Sequence, residues 1–576
     1  MIWIAAVFFP LFVAAVCSMP GPGQAAGLRL MVLAPVPAIF LAISGDATQG
    51  IELGDFILKT SLGPDPMGSK FLLAISVTWF AAALFTVLGP VRSDLKSRPF
   101  CVMFLMTMCG NLGLAASRDA ISFYAFFALM TFCAYSLVVH SRSGSARKAG
   151  RIYLIMAVLG EGLLVAGIMM AVFVSPGHHF SDIAPAMAMQ PQSHPVFLLL
   201  FAGFGVKAGL IFLHFWLPLA HPVAPTPASA VLSAAMIKAG LLGWMNFFPA
   251  GLVSFGSWGM AFVLLGFGGA IFGAAAGLRE NDPKTILAYS SISQMGLMTM
   301  CLGIGIMDQS MWTMAGPVLL LLVFNHAIAK SALFLGTAVA GSDRFSPGTY
   351  TLIILLLAVP AMALAGAPFT GGAHAKYLLK EVLAASSMSK AVVYFISASS
   401  VLTTMLVTHF LMKAASRNRT GHSTQLQTAA WVLMILFTAC LPLFLAVLYP
   451  ESRIVWLNLS LFLSSLWPVL AGLVIYLCFH EIIQRVVIVL AGWLPETAII
   501  IDKLWQRLNT PAGQYDNQKA SWAGMNLTRL TDQILQSQAA QRISREIDIK
   551  LSAWTLFGMI FMLLAMSLAV LAWMGG

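Results

Sequence analysis

Lys207, Lys238, His326, Lys330 and Lys376 fall within or at the edge of long apolar runs, where lipid is expected, and Glu161 falls within another. On the insertion scale a lysine at the centre of a membrane helix costs about 2.5–3.5 kcal/mol. Four together cost on the order of 10 kcal/mol, comparable with the whole stability of an ordinary domain. Packing alone is no reason to keep such a cost, whereas reversible protonation is. Desolvation drives a buried lysine toward its neutral form and a nearby carboxylate drives it back, so a lysine whose acidic partner moves can load and release a proton near neutral pH. His326 and Lys330, in "VFNHAIAKSALFLG", are four residues apart and share one helix face, where a histidine and a lysine can exchange a proton through a water. The plain alternative is that long side chains reach the interface or pair structurally. It suits Lys376 and Lys380, in "AKYLLKE", better than Lys207 and Lys238, whose flanks are apolar on both sides. For His326 alone, a satisfied structural histidine is an equal reading.

The elements that must carry these groups are broken ones. "HFWLPLAHPVAPTPASAVLSAAMIKAG", His214 to Gly240, holds Pro218, Pro222, Pro225 and Pro227 beside His214 and His221. Proline removes a backbone donor and frees a carbonyl, and in lipid such groups are tolerated only beside protein or water. The pattern predicts a break at Pro218 to Pro227, with ordered water next to Lys207 and His214. A second interruption, "GAPFTGGAHAK", leads into Lys376. Broken helices at corresponding positions of two halves point to inverted repeats that line a transport route.

The rest of the chain is built for a bilayer. Of its 576 residues 59% are hydrophobic and only 9% charged, with a mean hydropathy of +0.88, far outside the globular range. About sixteen stretches are long enough to span: 2–18, 25–43, 71–91, 100–117, 119–140, 151–174, 195–217, 226–248, 254–278, 285–307, 312–340, 350–372, 389–412, 428–449, 454–480 and 552–574. The opening stretch lacks the basic region of a signal peptide and is expected to be the first span. The net charge of +11 is a topology signal and implies no nucleic acid. Basic residues gather in "RSDLKSR", "SRSGSARKAGR", "RENDPK", "KAASRNR" and 481–551, each after an odd-numbered span, which puts both termini outside the cytoplasm. The seven cysteines form no CxxC and no His/Cys cluster, so no disulfide, iron–sulfur cluster or zinc is expected. In 481–551, Leu527, Leu530, Ile534, Ile543 and Ile547 recur mostly at helical spacing. That stretch reads as an amphipathic helix on the membrane or a partner, or as a plain solvated helix.

At these residues the chain resembles the antiporter-like, proton-translocating membrane subunits shared by respiratory complex I, hydrogenase-4-type membrane hydrogenases and Mrp cation/proton antiporters. The likeness runs from about Phe104 to Lys376. It rests on "GVKAGLIFLHFWLPLAHPVAPTPASAVLSAAMIKAG", "DPKTILAYSSISQMG", "NHAIAKSALFLG" and "GAPFTGGAHAK". It implies an all-α polytopic fold of about fourteen core helices in two inverted five-helix repeats, plus C-terminal helices. It also implies roles: Lys207 as switching lysine, Lys238 as its relay, His326 and Lys330 as the central connection, and Lys376 as the exit. His214, beside the first break, joins this set.

One family residue is missing. Where the family pattern "FYxFWELMSLxSY" has a glutamate that pairs with the switching lysine, "FYAFFALMTFCAY" has Ala128. Glu161, in "YLIMAVLGEGLLVAG", is the carboxylate in the neighbouring span and is expected to replace it. The alternative is an unpaired Lys207 and altered pumping.

The expected organisation is 1–99 N-terminal spans, 100–412 translocating core, 413–480 C-terminal spans, 481–551 lateral partner-facing segment and 552–576 last span. The expected function is proton translocation within a redox-driven complex of the quinone-reductase or hydrogenase-4 type, in a bacterial-type inner membrane. Other membrane subunits would be its partners, protons or Na+ the cargo, and no cofactor or metal would be held in this chain. An Mrp-type antiporter subunit is the alternative. A membrane enzyme using His214, His221 or His326 is disfavoured, because no nucleophile or metal spacing accompanies them.

Overall fold

The computed structural model describes residues 2–44, 50–52, 61–63, 66–90, 93–189, 194–386, 388, 391–448 and 459–491. The expected lateral segment beyond 491 and the last span lie outside the described residues. The helices are, in order, α1 (Ile2–Ser18), α2 (Pro22–Leu30), α3 (Val36–Ser44), α4 (Pro66–Val87), α5 (Arg98–Ala116), α6 (Ala120–Val138), α7 (Gly144–Phe173) and α8 (Phe180–Ala188). They continue with α9 (His194–Ala208), α10 (Trp216–Val223), α11 (Thr226–Val231), α12 (Lys238–Phe247), α13 (Gly256–Gly277), α14 (Pro283–Met307), α15 (Trp312–Ala340), α16 (Pro347–Ala365), α17 (Gly371–Ala385), α18 (Ala391–Ala415), α19 (Gln425–Leu448) and α20 (Leu459–Ala491). A two-residue antiparallel pair, Ile51–Glu52 with Ser61–Leu62, is the one sheet among the described residues.

Twelve stretches of helix among the described residues are long and apolar enough to cross a membrane, and the chain is a multi-pass helical membrane protein. The difference from sixteen has local causes. Stretch 25–43 divides into α2 and α3 around residues 31–35, where Pro35 lacks a donor and disfavours helix for Ala34. Stretch 195–217 breaks after α9, α1 is a shorter apolar helix, and 552–574 is not described. α20 runs past the expected boundary at 480 to Ala491.

Capping fixes where several spans begin. Asp119 accepts from the Ile121 and Ser122 amides at the start of α6, Ser143 caps α7, and Asp282 followed by Pro283 opens α14. These are the residue types that satisfy the orphan donors of a first turn. α15 is the axis: every residue of its most apolar window is buried, against 39% for α16 and 33% for α20 at the rim. A helix apolar all round belongs inside.

α13 and α14 pack through glycines seven apart. A Cβ on Gly259 would lie 2.4 Å from Met307 backbone, one on Gly266 2.6 Å from the Gly296 carbonyl, and one on Gly273 2.5 Å from the Ser293 amide. The seven-residue period keeps one seam facing the partner helix. Gly266→Leu should therefore destabilise the protein by about 1–3 kcal/mol or more, because the obstructing atoms are main chain. Gly268→Ala, whose Cβ would meet only Ile211 at 3.7 Å, should be close to neutral. Thermal denaturation of the two purified variants checks this.

Among the described residues, the loops after α4, α13, α15 and α18 meet on one face. Thr424 Oγ1 donates to the Leu88 carbonyl (2.7 Å), Lys413 Nζ to Asn281 Oδ1 (2.6 Å), and Arg344 Nη1 to the Ser423 carbonyl (2.9 Å). His140, at the end of α6, lies edge-on to Phe100 at 5.0 Å.

Candidate functional site

Lys207 sits in the last turn of α9, and the chain stops being helical directly after it. Gly209 (φ 70°) and Phe212 (φ 70°) both take left-handed backbone. The Leu210 amide donates to the Gly205 carbonyl (2.9 Å) and the Gly209 amide to the Val206 carbonyl (3.3 Å), which makes a Schellman end. Trp216, the first residue of α10, donates its indole N–H to the same Val206 carbonyl (2.7 Å). The first break thus lies at Gly209–Phe215, before the prolines, and a second falls inside the expected stretch Pro218 to Pro227. Pro218 and Pro222 are inside α10. Pro225 and Pro227 serve a second interruption, where Ala224 is extended and α11 starts. A π-helical turn, Leu232–Met236, then delivers Lys238. Such turns inside spans are frequent at functional sites.

The second broken helix repeats the first. α16 ends at Gly366 (φ 87°), Phe369 follows at φ 64°, and the Ala367 amide donates to the Met362 carbonyl (3.0 Å). Both breaks therefore read Gly-x-x-Phe with left-handed backbone at both ends of the motif. The carbonyls released at this end of α16 are taken by side chains: Ala363 accepts from Asn325 Nδ2 (3.2 Å) and Ala365 from Lys376 Nζ (2.9 Å).

Around Lys207 the ammonium donates to Thr131 Oγ1 (3.1 Å) and Tyr153 Oη (3.4 Å). It faces a cavity of about 20 Å³ that is also lined by Phe127, Glu161 and Trp216. Ala128 is buried on α6, one turn from Thr131. Glu161 is thus on the wall of the Lys207 cavity and does not face lipid. Among the described residues neither of its oxygens has a partner at full hydrogen-bond geometry, Tyr124 and Thr131 being the donors beside it, and the cavity is large enough for a water between the two charges.

The middle groups form a second cluster. Lys238 Nζ donates to the Ser233 carbonyl (3.0 Å) and lies 2.5 Å from His326 Nδ1. When Lys238 donates, that nitrogen is the acceptor and the ring proton sits on Nε2, an atom with no partner among the described residues. One turn along α15, Lys330 donates to the Leu287 carbonyl (2.5 Å) and to Ser290 Oγ. Ser233 and Ser291 share a hydrogen bond of 2.7 Å. His214 is placed apart, among the rings of Phe215 (4.6 Å) and Phe272 (4.8 Å), and does not line the Lys207 cavity.

Several polar partners carry no signal in the sequence. Thr131, Tyr153 and Trp216 reach Lys207 from three other helices, and Ser290 and Asn325 serve Lys330 and the α16 end from across the bundle. Lys284 Nζ donates to the carbonyl of Ala224 (2.8 Å), closing the interruption between α10 and α11. His221 is fully buried, stacks on Phe334 (4.6 Å), and among the described residues has no hydrogen-bond partner at either ring nitrogen.

A many-span helical bundle with two interrupted helices, and with lysines buried beside both interruptions, is the architecture of a membrane transport subunit. The family described as NADH:quinone oxidoreductase/Mrp antiporter, transmembrane, matches residues 117–403, a range that holds every candidate residue above, and the chain belongs to that family. It is 28% identical over 294 residues to hydrogenase-4 component B of Escherichia coli, covering 50% of this chain and 43% of that one. It is 31% identical over 345 residues to the antiporter subunit mnhA2 of Staphylococcus saprophyticus, covering 55% and 42%. The chain thus spans less than half the length of these curated relatives. Its fold is similar to a chain of the archaeal membrane-bound sulfane sulfur reductase (TM-score 0.62, 20% identity, 82% of this chain and 96% of that one). It is also similar to a chain of the Mrp complex from Dietzia sp. (TM-score 0.70, 18% identity, 96% of this chain and 61% of that one).

Proposed function

We propose that this chain is the proton-translocating membrane subunit of a redox-driven complex of the quinone-reductase or hydrogenase-4 type. Protons move through Glu161, Lys207, Lys238, His326, Lys330 and Lys376, with His214 beside the first break. The observation that carries this reading is the 2.5 Å approach of Lys238 to His326 with Lys330 one turn further along α15. Three buried basic groups at that spacing can hand on a proton, and a static ion pair would place a carboxylate among them. In this reading the fold has about fourteen core transmembrane helices with two inverted five-helix repeats, and residues 100–412 are its translocating core. Residues 1–99 and 413–480 flank it, 481–551 faces partner subunits and 552–576 is the last span. The face that collects the basic loops is cytoplasmic by the positive-inside rule, in a bacterial-type inner membrane, with both termini on the other side.

An Mrp-type cation/proton antiporter subunit is the second reading, favoured by the 31% identity to mnhA2. Purifying the complex through a tag on this chain and reconstituting it in vesicles separates the two. The redox reading expects oxidoreductase subunits to co-purify and vesicles to acidify on adding an electron donor, without Na+. Acidification that requires a Na+ gradient and no donor would replace it with the antiporter reading.

A further inference from the structure

The Lys207 ammonium is surrounded by three aromatic faces from three different helices. Its Nζ lies 5.8 Å from the ring centre of Phe127 on α6, 5.7 Å from Tyr153 on α7 and 5.9 Å from Trp216 on α10. Each is within the range at which a ring's negative face attracts a cation, and the attraction grows when water is excluded. The rings are held in place: Trp216 by its bond to the Val206 carbonyl, and Tyr153 by donating its hydroxyl proton to the Thr131 carbonyl (2.8 Å) and standing edge-on to Trp216 (5.3 Å, 81°). With its proton committed there, the Tyr153 oxygen turns a lone pair toward the ammonium.

We propose that Phe127, Tyr153 and Trp216 form an aromatic cage that holds Lys207 as a cation at rest, supplying the stabilisation that a carboxylate at position 128 would give. The proposal rests on the reading of Lys207 as the switching residue. The cage is neutral, so it stabilises the charge without competing for the proton, and Glu161 across the cavity stays available as the exchanging group. Trp216 stands on the far side of the break from Lys207 and is tied back across it by its bond to the Val206 carbonyl, so the cage holds only while that joint keeps its angle. These three are positioning residues. The titratable groups that face the ammonium are Glu161 and Tyr153 on α7. α6 adds Tyr124 beside Glu161 and Cys133 beside Tyr153, and α9 and α10 line the cavity otherwise with Gly203, Val206 and Trp216.

The test is the pH profile of proton translocation by the intact complex in vesicles. Trp216→Leu and Phe127→Leu should each move the alkaline limb to lower pH by about one unit, since each removes one desolvated cation–π contact. Trp216→Phe and Phe127→Trp, which keep a ring face, should hold the limb within a few tenths of a unit. If the leucine variants lose only amplitude with the limb unmoved, or if leucine and aromatic replacements behave alike, the rings are packing and the cage is overturned. Phe127 gives the answer should Trp216→Leu not assemble. Lys207→Met is run alongside: full pumping there removes the switching role and the cage with it, whereas lost pumping with unshifted leucine variants removes the cage alone.

Discussion

Lys207→Met should leave the complex assembled and reduce ion translocation at least about tenfold. Methionine keeps the length and the apolar stem of lysine and packs adaptably, but it cannot titrate. The buried surroundings argue that the fold survives. The lost donor frees only Thr131 Oγ1 and Tyr153 Oη, and Tyr153 retains its bond to the Thr131 carbonyl. The Schellman end of α9 uses main-chain groups and the Trp216 indole, so the break does not depend on the ammonium. Translocation in vesicles, normalised to complex recovered on a native gel, is the measurement. Undiminished pumping by a fully assembled variant would remove Lys207 from the route.

The second large effect is expected at Glu161. Glu161→Gln preserves shape and removes charge, and it should depress translocation nearly as much as Lys207→Met. The carboxylate and the ammonium share one cavity, and among the described residues the carboxylate has no cation besides Lys207 acting on it. Ala128→Glu in the Glu161→Gln background should recover part of the activity, because position 128 is buried on α6 one turn from Thr131, itself bonded to Lys207. Since the two charges act on each other, removing both should cost less than the sum of the single losses. Additive losses, or no recovery by Ala128→Glu, would mean that Glu161 does its work away from Lys207.

How far the sequence reaches is set by the range of the interactions. Most spans are legible because a run of apolar residues behind a Ser or Asp cap is a local instruction, as at Asp119 and Asp282. The buried charges are legible because lipid makes them costly wherever they sit. The position of the first break is not: four prolines draw the eye to Pro218–Pro227, where only the second interruption, at Ala224–Pro225, falls. The chain turns first at Gly209 and Phe212, where a left-handed phenylalanine has no signature. The division of 25–43 into α2 and α3 had a signal in Pro35 and Pro37, which the apolar run around them outweighed. The aromatic walls around Lys207 and the direct contact between Lys238 and His326 arise between helices distant in sequence, so no periodicity along the chain could announce them.

The two matching breaks end on unlike groups. At the first, the Val206 carbonyl accepts from the Gly209 amide and from the Trp216 indole, neither of which depends on proton count. At the second, the last carbonyl of α16 is held by Lys376, which reaches back from α17 as a cation against the negative end of a helix. That attraction is worth about 0.3–1 kcal/mol at exposed sites and up to about 2 kcal/mol where partly buried. If Lys376 carries a proton in the proposed route, losing it would weaken the α16–α17 joint by that amount and leave the α9–α10 joint unchanged. The two breaks would then be mechanically unequal, one tied by neutral groups and the other by a charge that transport removes.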